Sequence, residues 1–376
     1  MRPLHVRRLG LVEYEDGLDA QRLLVEARAA GTATDSLLLL EHPRVITLGR
    51  GAGSGNILWS AEQLRTRGFE VFDTSRGGDV TYHGPGQLVG YPILDLKPDR
   101  KDVRKYVASV EEVMIRTAAD FGVAAQRVPG RIGVWTAAGK LGAIGVHLSR
   151  WITSHGFALN VATDLGDFAA IVPCGISDKG VTSLQMLLGD PPSMAEVEES
   201  AAANAAAVWE AEAFDVPVEL ETVSVVVLRG DEVLLLRRIP ERGGFWQILT
   251  GRREAGEPAQ VAAARETYEE TGLAPVLEEV RPLGYVHSFV LDPALLPSRG
   301  GAPLPPRFAR ETAFAVRVPE DPAVRLDPRE HDLFEWVSPP EALRRLPFAG
   351  LRRAVRIALG EVPPDPRRVP SDPGGG

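Results

Sequence analysis

One cysteine, Cys174, stands in a chain of 376 residues. That scarcity excludes an intramolecular disulfide and matches a reducing compartment. Excess positive charge is also missing. Against 51 aspartates and glutamates the chain sets 42 lysines and arginines, a formal net charge of −9, which argues against a general nucleic-acid binder and leaves at most a local basic patch for an acidic partner. Apolar runs are short. The four leucines 37–40 fall far below the ~20 residues that span a bilayer. The opening MRPLHVRRLGLVEYEDG alternates apolar and basic residues like a first strand, where a signal peptide would show one continuous apolar block. No internal repeat is visible. These absences predict a soluble, cytoplasmic protein with neither a membrane nor a nucleic-acid partner.

What the chain does contain is enough for two domains, since 44% of residues are apolar and 25% charged and each half can bury an ordinary core. In the first half, Leu37–Leu40 reads as a buried strand. DVRKYVASVEEVMIRTAADFG, 102–122, places Val103, Tyr106, Val107, Val110, Val113, Met114 and Ala118 at helical spacing, with Gly122 as the stop. LGAIGVHL and SHGFALNV read as neighbouring strands, with small residues where a ligand or another backbone comes close. After GDPPS, 189–193, an alanine- and glutamate-rich helix MAEVEESAAANAAAVWEAEAF is expected. TVSVVVLRGDEVLLLRR then opens a second alternating pattern, with RGDE as a hairpin. The boundary falls near 215–219, and the Pro/Gly-rich end, 361–376, is expected to be disordered.

Cys174 sits in IVPCGISDKGVTSL, between a proline and a glycine. A lone cysteine is most often a small buried hydrophobe. This one lies in a turn, where free backbone N–H groups suit an oxyanion and Gly175 leaves room for a substrate. Two other stretches supply what the thiol lacks. RGGDVTYHGPGQLVGYPILDL, 76–96, offers glycines for close approach and Val80, Tyr82, Val89, Tyr91 and Ile93 as an apolar and aromatic wall. In AAGKLGAIGVHL, Lys140 has the alternatives of a solvated turn residue or a cation that favours thiolate over thiol.

These stretches, with HPRVITLGR and GKLGAIGVHLSRWITSHGFALNV, closely resemble the lipoate-protein ligase B family of octanoyl-[acyl-carrier-protein]:protein octanoyltransferases, over residues 1 to about 213. The resemblance implies a biotin/lipoate ligase-like α+β domain that takes octanoyl from acyl carrier protein, holds it as a cysteine thioester and passes it to a lysine of lipoyl domains. The implied acceptors are the lipoyl domains of 2-oxoacid dehydrogenases and the glycine cleavage H protein. Matched residue by residue, it implies Cys174 as nucleophile and Lys140 as the group lowering its pKa. It also implies substrate contacts at Arg76, Gly77, Gly78, Asp79, Val80, Thr81, Tyr82 and His83, at Ala143, Ile144 and Gly145, and at Gly156, Phe157 and Ala158. No cofactor is expected for the transfer, because a thioester already carries the activation that ATP supplies to lipoate and biotin ligases. The nearest candidate for their adenylate loop, GRGAGSGN at 49–56, lacks its basic cluster.

Residues 251–273, GRREAGEPAQVAAARETYEETGL, fit the Nudix box G-x5-E-x7-R-E-U-x-E-E-x-G-U, with Thr267 where the pattern has a bulky aliphatic. Pro258 is expected at the first helical position and Gly272 at the end. Glu266, Glu269 and Glu270 then share one helix face. A solvated acidic face is the bland alternative, but Arg265, Glu257 and the flanking glycines argue for a Mg²⁺ or Mn²⁺ site acting on a diphosphate. FWQILTGRREAGE and EHDLFEWVSPPEAL look like Nudix hydrolases of the nucleoside-triphosphate and dihydroneopterin-triphosphate type. They imply an α/β/α sandwich over 219–360 and a nucleotide-like small molecule as substrate. The organisation expected is thus an octanoyltransferase domain at 1–213, a linker at 214–218, the Nudix domain at 219–360 and the tail. The competing readings are a lipoyl-protein docking module with chemistry confined to the Nudix half, and a degenerate Nudix fold serving as a binding platform.

Overall fold

The computed structural model describes residues 1–53, 55–172, 180–291 and 305–363. Cys174 and the tail from residue 364 lie outside the described residues. The chain divides into two compact units that meet in sequence at Pro217 and Val218.

The first unit runs β1 (Arg2–Leu11), α1 (Tyr14–Ala29), β2 (Asp35–Glu41), β3 (Val45–Leu48), α2 (Ala61–Thr66), β4 (Glu70–Asp73), β5 (Val80–His83), β6 (Gln87–Ile93), α3 (Val103–Asp120), β7 (Gln126–Val128), β8 (Arg131–Thr136), β9 (Gly139–Ser149), β10 (Ile152–Asn160), α4 (Leu184–Leu188), α5 (Met194–Val208) and β11 (Ala211–Asp215). Among the described residues its main sheet has the order β11-β1-β2-β6-β10-β9-β8-β7, and β4-β3-β5 form a small second sheet. All four leucines 37–40 are 0% exposed, as a central strand covered on both faces requires. Leu37 and Leu39 join Leu88, Phe157 and Leu159 under α3 and α5, while Leu38 lies opposite Tyr91 and Leu40 opposite Val89 on β6. Tyr106, Val110, Val113, Met114 and Ala118 of α3 are buried as the spacing predicts, and Asp102 caps the helix by accepting from the Lys105 N–H. Val103 instead lies 44% exposed in the first turn.

Two expectations near the end of this unit need correcting. The helix after GDPPS stops at Val208, and Ala211–Asp215 pairs in parallel with Arg2–Val6 of β1. Phe214 and Asp215, expected in a linker, therefore belong to the sheet. Glu210, with φ +53, turns the chain out of the helix. The new strand is an edge whose side chains are mostly exposed, so its main-chain bonds hold it and no apolar pattern marks it.

The second unit comprises β12 (Leu220–Arg229), β13 (Glu232–Arg238), β14 (Trp246–Gln247), β15 (Leu249–Arg252), α6 (Ala259–Thr271), β16 (Arg281–Leu291), β17 (Arg307–Arg317), β18 (His331–Val337), α7 (Pro339–Arg345) and α8 (Ala349–Ala358). β12 is central. It pairs with β17 in parallel and with β13 and β15 antiparallel, and Arg229 faces Glu232 across the expected hairpin. Val223, Val225 and Val227 pack against Ala262 and Ala263 of α6. α8 covers the other face, where Gly350 lies so close to His287 that a Cβ would fall 1.9 Å from its Nε2. This is a sheet between helices. Pro258 is the cap of α6 and Ala259 its first residue, and Gly272 ends it at φ +70.

One contact in the first unit is close enough to test by mutation. A Cβ on Gly156 of β10 would lie 2.2 Å from the Gly90 carbonyl oxygen and 2.5 Å from Pro92 Cδ, so no side chain fits between β10 and β6. Gly156→Ala is expected to cost about 1–3 kcal/mol through overpacking, read as a lower denaturant midpoint with an unchanged slope. An unchanged midpoint would show that the strands separate freely at this point.

Candidate functional site

In the first unit the segment 76–83 meets the β9–β10 pair. Gly77 N–H donates to the Val146 carbonyl at 2.9 Å. The antiparallel register places Gly145 opposite Gly156, Ile144 opposite Phe157 and Ala143 opposite Ala158. A pocket opens here. Its wall includes Arg76, Gly78, Asp79, Val80, Thr81 and His83 from the first segment, Lys140, Ala143, Ile144 and Gly145 from β9, and Gly156, Phe157 and Ala158 from β10. Every substrate-binding residue expected from sequence is there except Gly77 and Tyr82. Tyr82 packs instead in a cluster with Phe69 and donates its hydroxyl to Asp167 Oδ2 at 2.7 Å. Of the expected wall, Tyr91 lines the pocket, whereas Val89 and Ile93 are fully buried elsewhere. Tyr14 and His155 also line it and were missed. His155 had a signal, standing just before Gly156–Ala158; Tyr14, at the start of α1, had none.

Lys140 is not a solvated turn residue. It is 8% exposed, inside β9, with its ammonium 5.5 Å from the centroid of Trp135. Its main chain makes a parallel bridge with Val181: Lys140 N–H donates to the Gly180 carbonyl at 3.0 Å, and Thr182 N–H donates back to the Lys140 carbonyl at 2.9 Å. On the other side of 173–179, Val172 N–H donates to the Asn56 carbonyl at 2.9 Å, and Asn56 Nδ2 donates to both oxygens of Asp79, at 2.7 and 2.8 Å. Both flanks of the cysteine-bearing segment are therefore tied to residues of the pocket wall.

A buried polar network backs the pocket. Gln87 Nε2 donates to the Tyr82 carbonyl and to Asn160 Oδ1, and Asn160 Nδ2 donates to the Thr182 carbonyl. Gln87 Oε1 is then the acceptor for His83 Nδ1–H at 2.8 Å, which leaves His83 Nε2 with its lone pair. His42 Nδ1–H donates to the Val12 carbonyl, and its Nε2 accepts from the Tyr91 hydroxyl, both at 2.7 Å. Burial pushes His42 down to about 4, His83 to about 3 and His155 to about 4. Burial likewise pushes Tyr14 up to about 12. Arg76, 6% exposed, spans Thr47 with its Nε and Nη2. With Lys140 it is a buried cation of the pocket wall.

In the second unit α6 brings the three glutamates together, though not equally. Glu270 is 4% exposed. Burial pushes its carboxyl well above the ordinary carboxylate range, with Arg238 opposing and Glu330, Glu266 and Asp327 adding to the rise. Its Oε2 is buried without a hydrogen-bond partner. Glu266 is raised as well, again by burial, with Arg265 opposing. It lies against Gly251, where a Cβ would stand 2.0 Å from its Cδ. Glu269 sits at the rim, its side chain 54% exposed. Arg265 clamps the face: it forks onto Glu257 at 2.8 and 2.9 Å and reaches Glu266 at 2.8 Å and Glu269 at 3.0 Å. This fork holds Glu257 down at about 2. Thr267, in the aliphatic position of the motif, is fully buried and returns its hydroxyl to the Ala263 carbonyl at 2.6 Å. Among the described residues no three His, Cys, Asp or Glu side chains stand close enough together to hold a metal ion as they are placed. An orphaned buried carboxylate oxygen within a set of hard oxygen donors nevertheless fits a divalent cation, which would offset the like charge.

The family model for the lipoyl protein ligase A/B catalytic domain matches residues 13–206, and the model for the NUDIX domain matches 219–356. An octanoyltransferase of Myxococcus xanthus is 53% identical over 368 residues, covering 95% of this chain and 99% of that protein. An octanoyltransferase of Acidobacterium capsulatum is 57% identical over 204 residues, covering 51% of this chain and 83% of its own. A solved structure described as lipoate-protein ligase A bound with ATP is 15% identical, covers 56% of this chain and 88% of its own, and has a TM-score of 0.49, a likeness too distant to carry argument. No helix among the described residues is long and apolar enough to cross a membrane.

The three buried histidines make the first unit sensitive to acid. Each has a folded value below the ordinary 6.5, so the unfolded chain binds the extra protons. The stability is complete above about pH 6.5 and is lost as pH falls toward the folded values, by about 1.4 kcal/mol per pH unit for each proton. Hydrogen exchange of β2 and β6 amides, corrected for intrinsic rate, should show weaker protection at about pH 5.5 than at about pH 7.5. Equal protection at both values would mean that the histidines are already charged in the fold.

Proposed function

The chain belongs to the lipoyl protein ligase A/B catalytic domain family and carries a NUDIX domain behind it, and from that premise we propose that it transfers octanoyl from acyl carrier protein to lysines of lipoyl domains through a thioester on Cys174. The observation that carries this reading is the tie between Lys140 and Gly180–Thr182, which fixes the end of the cysteine segment to the strand that holds the pocket's lysine. In the proposed first step the Cys174 thiolate attacks the thioester carbonyl, its carbon–sulfur bond forms as the bond to the carrier's sulfur breaks, and that sulfur leaves as a thiol with a proton given up by Lys140. In the second the acceptor lysine's amine attacks. The amide forms, Cys174 leaves as thiolate, and Lys140 is placed to take up and return the amine's proton. Backbone N–H groups beside Cys174 would stabilise each oxyanion. The pocket wall of Ile144, Phe157, Ala143 and Ala158 suits a flexible apolar chain, and Arg76 suits its polar head.

For the second unit we propose pyrophosphohydrolysis of a nucleoside-diphosphate-type substrate. Glu266, Glu269 and Glu270 would hold Mg²⁺ or Mn²⁺, which when bound neutralises phosphate charge and makes water a better nucleophile. Arg265 restrains the glutamates and Glu257 balances Arg265.

Lys140→Ala should slow alkylation of Cys174 at neutral pH and recover it at higher pH, because an unassisted thiol ionises only near about 8.5. Identical pH–rate profiles for mutant and wild type would remove Lys140 from this role. Chelation by EDTA, or Glu270→Gln, should abolish hydrolysis across a panel of dihydroneopterin triphosphate, deoxynucleoside triphosphates, ADP-ribose and dinucleotides, while octanoyl transfer continues. Metal-independent hydrolysis, or transfer lost with the metal, would refute the division of labour.

A further inference from the structure

The motif EHDLFEWV contributes a residue that the proposed hydrolysis leaves unexplained. His331 opens β18, is 1% exposed, and pairs in register with Arg238 of β13. Its neighbours fix where its hydrogen sits. Arg238 has only donors, and its Nε donates to Gln247 Oε1 at 3.3 Å. That sets the Gln247 amide, whose Nε2 then donates to Thr250 Oγ1 at 3.1 Å and faces His331 Nε2 at 3.3 Å. An amide nitrogen cannot accept, so His331 Nε2 is the acceptor and the ring's hydrogen is on Nδ1. His331 Nδ1 is buried with no hydrogen-bond partner, as is Glu270 Oε2. The two stand 3.9 Å apart. An orphaned donor and an orphaned acceptor thus lie just beyond bonding distance, each costing its desolvation until they meet.

We propose that His331 is a positioning residue: its Nδ1–H, fixed by the Arg238–Gln247 relay, orients the Glu270 carboxylate and so sets the affinity of the second unit for a divalent cation. The inference rests on reading Glu270 as a cation ligand. Hydrogen bonds of this kind turn a ligand oxygen toward its metal, and losing one commonly weakens binding 10–100-fold.

Full-length protein titrated with Mn²⁺ in the absence of nucleotide, with free Mn²⁺ read by electron paramagnetic resonance, tests the relay. An asparagine at 331 places an amide N–H where Nδ1–H stands, whereas a glutamine places it where Nε2 stands. His331→Asn should bind within about threefold of wild type and His331→Gln about 10–100-fold more weakly, at equal thermal midpoints. Equal losses in the Asn and Gln variants, which packing alone would produce, or wild-type affinity in His331→Gln, would overturn the relay. Glu270→Gln binding Mn²⁺ as well as wild type would instead overturn the ligand reading, and the relay with it.

Discussion

The first unit depends on a short piece of main-chain pairing. Lys140 gives its N–H to Gly180 and takes one from Thr182, so the chain that follows the cysteine segment is fastened to a strand inside the main sheet. Backbone groups need partners to be held in place, and the scaffold supplies them here. The Gln87–Asn160 relay reaches the Thr182 carbonyl from behind, and Asn56 and Asp79 secure the entrance. Glycine at 156 lets β10 press against β6 and carry Phe157 and Ala158 to the pocket.

The second unit solves the opposite problem. A thiolate needs a cation beside it, whereas α6 gathers carboxylates that repel one another. Arg265 holds that charge in check by sharing itself among Glu257, Glu266 and Glu269, and Glu270 is left buried without such a partner. Both units therefore place charge where water cannot screen it. On the proposed reading they differ in what completes them: an acyl group in one, a hard cation in the other.

Much of this was legible in the sequence, for identifiable reasons. Leu37–Leu40, the periodicity of α3 and the RGDE hairpin are local patterns imposed by burial, and local patterns survive in the chain. The pocket segments were legible through the resemblance of RGGDVTYH, AIG and GFA to the ligase family, beside glycines that permit close backbone approach. β11 was not, since AEAFD continues an alanine- and glutamate-rich helix in composition and is drawn into the sheet only by the free edge of β1. Tyr14 reaches the pocket from the start of α1, through tertiary packing that no neighbouring residue announces. Tyr82 lies outside the pocket because its ring packs with Phe69 and its hydroxyl is taken by Asp167, a tertiary pairing that the motif does not show. The burial of Lys140 was likewise invisible, because a Gly-Lys-Leu triplet reads as a turn until a partner such as Val181 makes it a strand.

The proposed transfer passes an acyl group through one thiol. The direct measurement is the intact mass of the protein after incubation with octanoyl-acyl carrier protein alone, in the presence of chelator, followed by peptide mapping. A single octanoyl adduct on the peptide that contains Cys174 is the predicted result. An adduct on another residue, or transfer that proceeds at the wild-type rate in Cys174→Ser, would contradict it.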